Sequence, residues 1–270
     1  MWLPATRQQH SPTGLCYASD LTDDEWRTLE PLLPRPPRRG RRRAWPLREI
    51  ADAIFYGLRA GCTWRLLPDS FPSWRTVYRW FARLRDGGVF EAINHHLVMP
   101  GRERSGREAS PTAAVSDSLS VKTTDSGGPR GYEAGEKIKG RKRHAMVDTD
   151  GRGLTQDNHP ARIQDCDGAP PLMRLSHCRW PFVRLAFMDS GYAGDRVACA
   201  TAIRVEIVRK PEGQIGFAVH ARRWVVERCF AWIGRTRRLA KDFEATKAFA
   251  TADLYAAFVI ILLRRIARSE

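Results

Sequence analysis

AAVSDS, residues 113–118, and VRLAFMDS, residues 183–190, are the two stretches on which the fold turns. Each is a short apolar run with an aspartate at or next to its end, Asp117 and Asp189, and runs of this length and composition read as strands. RKRHAMVD (141–148) has the same form, and RVEIVRK (204–210) reads as a later strand. A helical stretch is expected around 163–175, and two long helices near 220–237 and 249–268. Strands first, then strands mixed with helices, give an α/β domain with one central sheet. In an open sheet the carboxyl ends of neighbouring strands deliver side chains to one crevice, which makes both aspartates candidate site residues. LTQDNHPA (154–161) is polar for a strand of such a sheet, which suits an edge position or a partly decayed sequence.

The residues before this domain have a different pattern. Residues 1–20 read as a flexible N-terminus, 21–100 as a helical domain, 101–112 (GRERSGREASPT) as a polar linker and 113–270 as the α/β domain. LTDDEW (21–26) places Thr22 three residues before Glu25, a capping box, and its helix is expected to end near Pro34. Leu47, Ile50, Ala51, Ile54, Phe55 and Leu58 repeat at helical spacing up to Gly61. A third helix is expected from Ser73 to Gly87-Gly88, with Trp74, Val77, Phe81 and Leu84 inward. The last two helices, joined by GCTWRLLPDSFPS (61–73), match a helix-turn-helix in outline, with a long turn. Arg75, Arg79 and Arg83 recur every four residues and line the outer face of the third helix, as a helix entering a major groove requires. A solvated face of a structural helix is the other reading.

Arg38, Arg39, Arg41, Arg42 and Arg43, in RPPRRGRRR (35–43), read as an extended arm suited to backbone phosphates or a minor groove, with a flexible, solvated linker as the other reading. With a net charge of +15 and a sequence pI of 10.2, the chain as a whole calls for a polyanionic partner. The most apolar stretch, 249–263, contains Asp253 and is shorter than a bilayer span, and the N-terminus has no secretory pattern, so a cytoplasmic protein away from membranes is expected. Six cysteines without a CxxC pair read as reduced thiols, not as a zinc site.

A third carboxylate, Glu227, lies in RRWVVERCFAWIGR (222–235) with Arg223 one turn before it. Three carboxylates from separate elements suit two Mg²⁺ ions, because hard cations take oxygen ligands and Mg²⁺ keeps water for chemistry. Asp148, Asp150, Asp165 and Asp167 compete on chemistry alone, and a plain Arg223–Glu227 ion pair is also open. Spacing does not choose among them.

The words VSDSLSVKTT, GGPRGYEAGEKIKGRKRHAMVDT, HPARIQDCDGA, MDSGYAG and RRWVVERCFAWIGRTRRLAKDFE resemble the bacterial insertion-sequence transposases with an Asp-Asp-Glu triad, of the insertion sequence five group. The resemblance implies a ribonuclease H-like catalytic domain, Mg²⁺ or Mn²⁺ dependence, and cleavage and strand transfer at the terminal inverted repeats of an element. It places the catalytic, metal-holding triad on Asp117, Asp189 and Glu227, and gives Arg223 a phosphate at a DNA end. The related signature departs at two positions, where His220 replaces a tyrosine and Gly234 a lysine. KIKGRKRH (137–144) adds Lys139, Arg141, Lys142 and Arg143 as candidate phosphate contacts, with a solvated hairpin as the alternative. Double-stranded DNA is the expected partner, and a dimer assembled on DNA ends the expected complex. A DNA-binding regulator without catalysis and a structure-specific nuclease are the competing functions.

Overall fold

The computed structural model describes residues 15–35, 44–124, 128–209 and 223–267. The arm arginines Arg38, Arg39, Arg41, Arg42 and Arg43, and His220, lie outside the described residues.

Helix α1, Asp23–Leu29, begins as its sequence dictates: the Thr22 hydroxyl accepts the Glu25 N–H, and the Glu25 carboxylate accepts the Thr22 N–H. It passes at once into a 3₁₀ turn, Glu30–Leu32, instead of reaching Pro34 as a helix, since Pro31 has no N–H to continue the ladder. Helix α2, Leu47–Ala60, stops at Gly61, whose φ of 68° suits glycine. Helix α3, Trp74–Asp86, buries Val77, Phe81 and Leu84, and α4, Val89–Glu103, follows directly after the left-handed Gly88. The stretch expected to be a linker therefore begins inside a helix. Its Arg102 is buried, bonded to Asp148 at 2.8 Å, because a carboxylate buried at the end of a strand needs a cation.

Among the described residues the sheet has six strands: β1 (Ala113–Lys122), β2 (Gly131–Glu133), β3 (Ile138–Asp148), β4 (Gly153–Pro160), β5 (Leu185–Met188) and β6 (Arg204–Ile207). Their order is β2-β3-β1-β5-β6, and β4 pairs with β3. Strands β1, β3 and β4 are antiparallel, whereas β5 runs parallel to both β1 and β6. Helices α5 (Asp165–Arg179), α6 (Asp195–Ala198), α7 (Trp224–Gly234) and α8 (Lys247–Ala267) complete a mixed α/β architecture. The polar strand is β4, which among the described residues pairs with β3 alone and is covered by α8. There the Gln156 amide donates to the Thr251 carbonyl at 2.8 Å, and that of Asn158 to the Thr251 hydroxyl at 3.3 Å, while the oxygens of both amides, buried, have no hydrogen-bond partner among the described residues.

One apolar core joins the N-terminal helices to the sheet. Helix α8 is the shared element: Phe249 at its start stacks on Tyr78 and Phe81 of α3, with ring centroids 5.8 Å apart, and its later turns pack on α4. Among the described residues no helix is long and apolar enough to cross a membrane, and all six cysteines are unpaired.

Candidate active site

Strand β1 runs five residues past Asp117, so this aspartate is not at the strand's end as its local sequence suggested. What ends there is its parallel neighbour. The β1–β5 pairing stops at Val115–Phe187, and β5 itself stops at Met188. Asp117 and Asp189 each lie two residues beyond that last pair, hence on the same face and side by side at the mouth of the crevice. The backbone fixes both carboxylates: the Ser118 N–H donates to Asp117 at 2.8 Å, and the Gly191 N–H donates to Asp189 at 2.9 Å.

Glu227 comes from α7, which packs Val225, Val226, Cys229 and Ile233 inward and leaves Glu227 half exposed. Arg223 caps this helix, and one of its terminal nitrogens, Nη2, lies 3.4 Å from Asp117, 3.5 Å from Asp189 and 3.8 Å from Glu227. Three carboxylates from three elements thus surround one guanidinium. Burial pushes the Asp117 carboxyl up to about 6, against the pull of the Ser118 N–H and Arg223, with Asp189 adding to the rise. Among the described residues no three His, Cys, Asp or Glu side chains are gathered tightly enough to hold a metal ion as they stand. The donor set, carboxylate oxygens around a single positive charge, nevertheless fits a hard divalent cation.

Beside these three carboxylates lies a polar network that no local sequence pattern joins. Asp165, at the start of α5, accepts the Ser118 hydroxyl at 2.6 Å, and Lys142 Nζ and His144 Nε2 lie 3.1 and 3.3 Å from the same oxygen. Burial raises the Asp165 carboxyl, but bonds from His144, Ser118 and Lys142 outweigh it and hold the group far below the usual range. Tyr192, buried in the turn after Asp189, has its phenol held well above the ordinary value by burial and by Asp117, Asp165 and Asp189. The signal available in sequence was the place of Asp165 in the word HPARIQD, and nothing in that word says which strand it will meet.

The candidate DNA contacts divide. Arg75, Arg79 and Arg83 are exposed on α3, with Arg75 lying over Trp74 and Arg83 over Trp80. Lys139 is exposed as well. Arg141, Lys142 and Arg143 are 2%, 4% and 3% exposed, too buried to contact DNA. Alternation along β3 sends Arg141 and Arg143 to the face that Asp117 shares and Lys142 to the other. Arg141 pairs with Asp242 at 2.9 Å, Arg143 donates to the Leu239 carbonyl at 2.7 Å, and Lys142 bonds Glu133 and Asp165. Those three residues hold the sheet to its neighbours.

Comparison with known proteins fits this geometry. The family described as "Transposase DDE domain" matches residues 108–263, and that described as "Putative transposase of IS4/5 family" matches residues 21–94. A protein of Burkholderia cepacia named "Putative transposase for insertion sequence element IS402" is 30% identical over 129 residues, covering 44% of this chain and 59% of the relative, so less than two thirds of that relative's length is spanned. No solved structure is significantly similar to the chain. With one family matched over more than half of its length and the other over the helices before it, the chain belongs to the DDE-domain transposases of the IS4/5 type.

Proposed function

We propose that the protein is a DNA transposase that binds the terminal inverted repeats of an insertion sequence and carries out metal-dependent strand cleavage and strand transfer. The carrying observation is the convergence of Asp117, Asp189 and Glu227 on one cation from β1, the turn after β5, and α7. On this reading residues 113–270 are a ribonuclease H-like domain, and the helices of residues 21–100 are a helix-turn-helix-like DNA reader working on the nucleoid in the cytoplasm. The triad would hold two Mg²⁺ or Mn²⁺ ions. Such ions, when bound, activate a water or 3′ hydroxyl and stabilise the departing oxygen.

The chain's own residues do the rest. Ser118 and Gly191 hold the two aspartates with backbone N–H groups, so neither carboxylate has to reorganise when a phosphate arrives. The Arg223 side chain is positioned to turn from the carboxylates to a phosphate oxygen at a DNA end, where its planar fork suits two-point contact. Arg75, Arg79 and Arg83 present the exposed cations of α3 to duplex DNA, with Lys139 as a further phosphate contact.

Replacing Asp117, Asp189 or Glu227 by alanine, one at a time, is expected to bring cleavage of a DNA carrying the element's own ends below detection, with duplex affinity within about two-fold of the parent. Full cleavage by any one variant removes that residue from the triad. Cleavage of arbitrary junctions without preference for those ends would favour the structure-specific nuclease.

A further inference from the structure

Beside the β3–β4 turn, between the C-terminal ends of α4 and α8 and the outer side of α7, lies a pocket of about 510 Å³. Among the described residues five guanidiniums line it, those of Arg104, Arg107, Arg152, Arg228 and Arg265, against one carboxylate, that of Asp150. Part of this charge is used internally. Arg152 bonds Asp148, Asp150 and the Gly101 carbonyl, and it belongs to the frame. Arg107 pairs with Asp150 at 2.7 Å yet remains 45% exposed. Arg228 gives one terminal nitrogen to the Asp150 carbonyl at 2.9 Å, while its buried Nε has no hydrogen-bond partner among the described residues.

The guanidiniums are also held in place. Trp224, Arg228 and Trp232 follow one another at four-residue spacing along α7, and the Arg228 guanidinium lies over both indoles, 4.6 and 4.8 Å from the ring centroids. Arg265 also lies over Trp232, 4.4 Å from its ring centroid. Stacking of this kind fixes the plane of a guanidinium. Burial and the neighbouring Arg152 and Arg228 draw the Arg265 group below its ordinary value, the mark of like charges crowded together. Crowded, oriented guanidiniums at a pocket with an exposed rim suit a phosphodiester, and a chain of net charge +15 favours one that is part of a polyanion.

We propose that this pocket clamps a backbone phosphate of the DNA on which the triad acts, with Arg107, Arg228 and Arg265 as its contacts. The proposal rests on the transposase reading above. Because Arg228 follows Glu227 on α7, a strand seated here is held in fixed relation to the triad.

The test uses the full chain and duplex DNA, with affinity measured against salt concentration. Removing one phosphate interaction lowers the slope of log K against log salt by about 0.9. The double variant Arg107→Gln/Arg228→Gln is expected to lose about that much slope and roughly ten-fold in affinity at low salt, with parental melting temperature. Where the double variant melts early, Arg107→Glu, on an exposed side chain, gives the same reading without disturbing α7. A folded variant with unchanged slope overturns the phosphate clamp while leaving the function proposal standing. A parent chain that binds duplex DNA without any salt dependence overturns both.

Discussion

Asp52 sits in α2 with its carboxylate accepting the Leu21 N–H at 2.8 Å, and burial pushes its carboxyl up to about 6 in spite of that bond. An unfolded aspartate titrates near ~3.9. The folded state therefore binds this proton more tightly than the unfolded chain, and the contribution of Asp52 to stability falls as pH rises from about 4 to about 6. Asp52→Asn keeps the acceptor and never ionises. Between pH 4.5 and pH 7 it is expected to gain on the order of 2 kcal/mol over the parent, read from urea midpoints at each pH. An equal difference at both pH values would show that Asp52 is not the titrating group. Such single positions also mark what a sequence can disclose. Thr22 and Glu25 are three residues apart and their capping bonds are local, so the pattern identified them. Arg141 meets Asp242 across 101 positions, and no local pattern distinguishes a guanidinium destined for burial from one destined for DNA.

At the scale of elements, α8 couples the parts of the molecule. Its Asp253 is almost wholly buried and meets Arg238 at 3.1 Å, and Arg238 also bonds Glu244 and the Cys62 carbonyl after α2. Arg238→Ala leaves Asp253 buried without its cation and is expected to cost about 3–5 kcal/mol in chemical denaturation. The triple change Arg238→Met/Asp253→Leu/Glu244→Gln is expected to recover most of that loss, since none of the three charges then remains; no recovery would show that the packing of Arg238, rather than its charge, carries the effect. The existence of α8 was legible from its apolar run, but its role was not. That Asp253 is a buried partner, and that two amides of the polar strand β4 donate to Thr251, depends on which surface α8 covers. The aspartate of β1 is a parallel case: the residue was legible, but the reason it faces a crevice is that β5 stops short beside it.

For the whole molecule, the continuous core across α3, α4, α8 and the sheet argues against a separately stable helical part. Calorimetry of the full chain is expected to show one cooperative transition with coincident spectroscopic probes, whereas two resolved transitions would restore independent domains. The division at 101–112 was read from composition, yet Arg102 and Arg104 there are tied to Asp148 and to the Ile266 carbonyl, far apart from one another in sequence. Association, by contrast, belongs to charge. We expect a monomer in free solution and a two-fold dimer on paired DNA ends, because +15 repels itself until phosphates neutralise it. Light scattering on free and DNA-bound protein checks this, and a complex that stays at one protein per end under strand-transfer conditions would refute it.

Arg223, in the middle of the three carboxylates, bears on how the protein is born. A site built from acids alone would have to await its ions before those groups could come together, and folding would then be tied to metal supply. Here the chain carries its own counter-ion at the centre. On the proposed function, the polypeptide is expected to fold with these acids already assembled even in the presence of a chelator, and a metal ion then takes the place of the guanidinium.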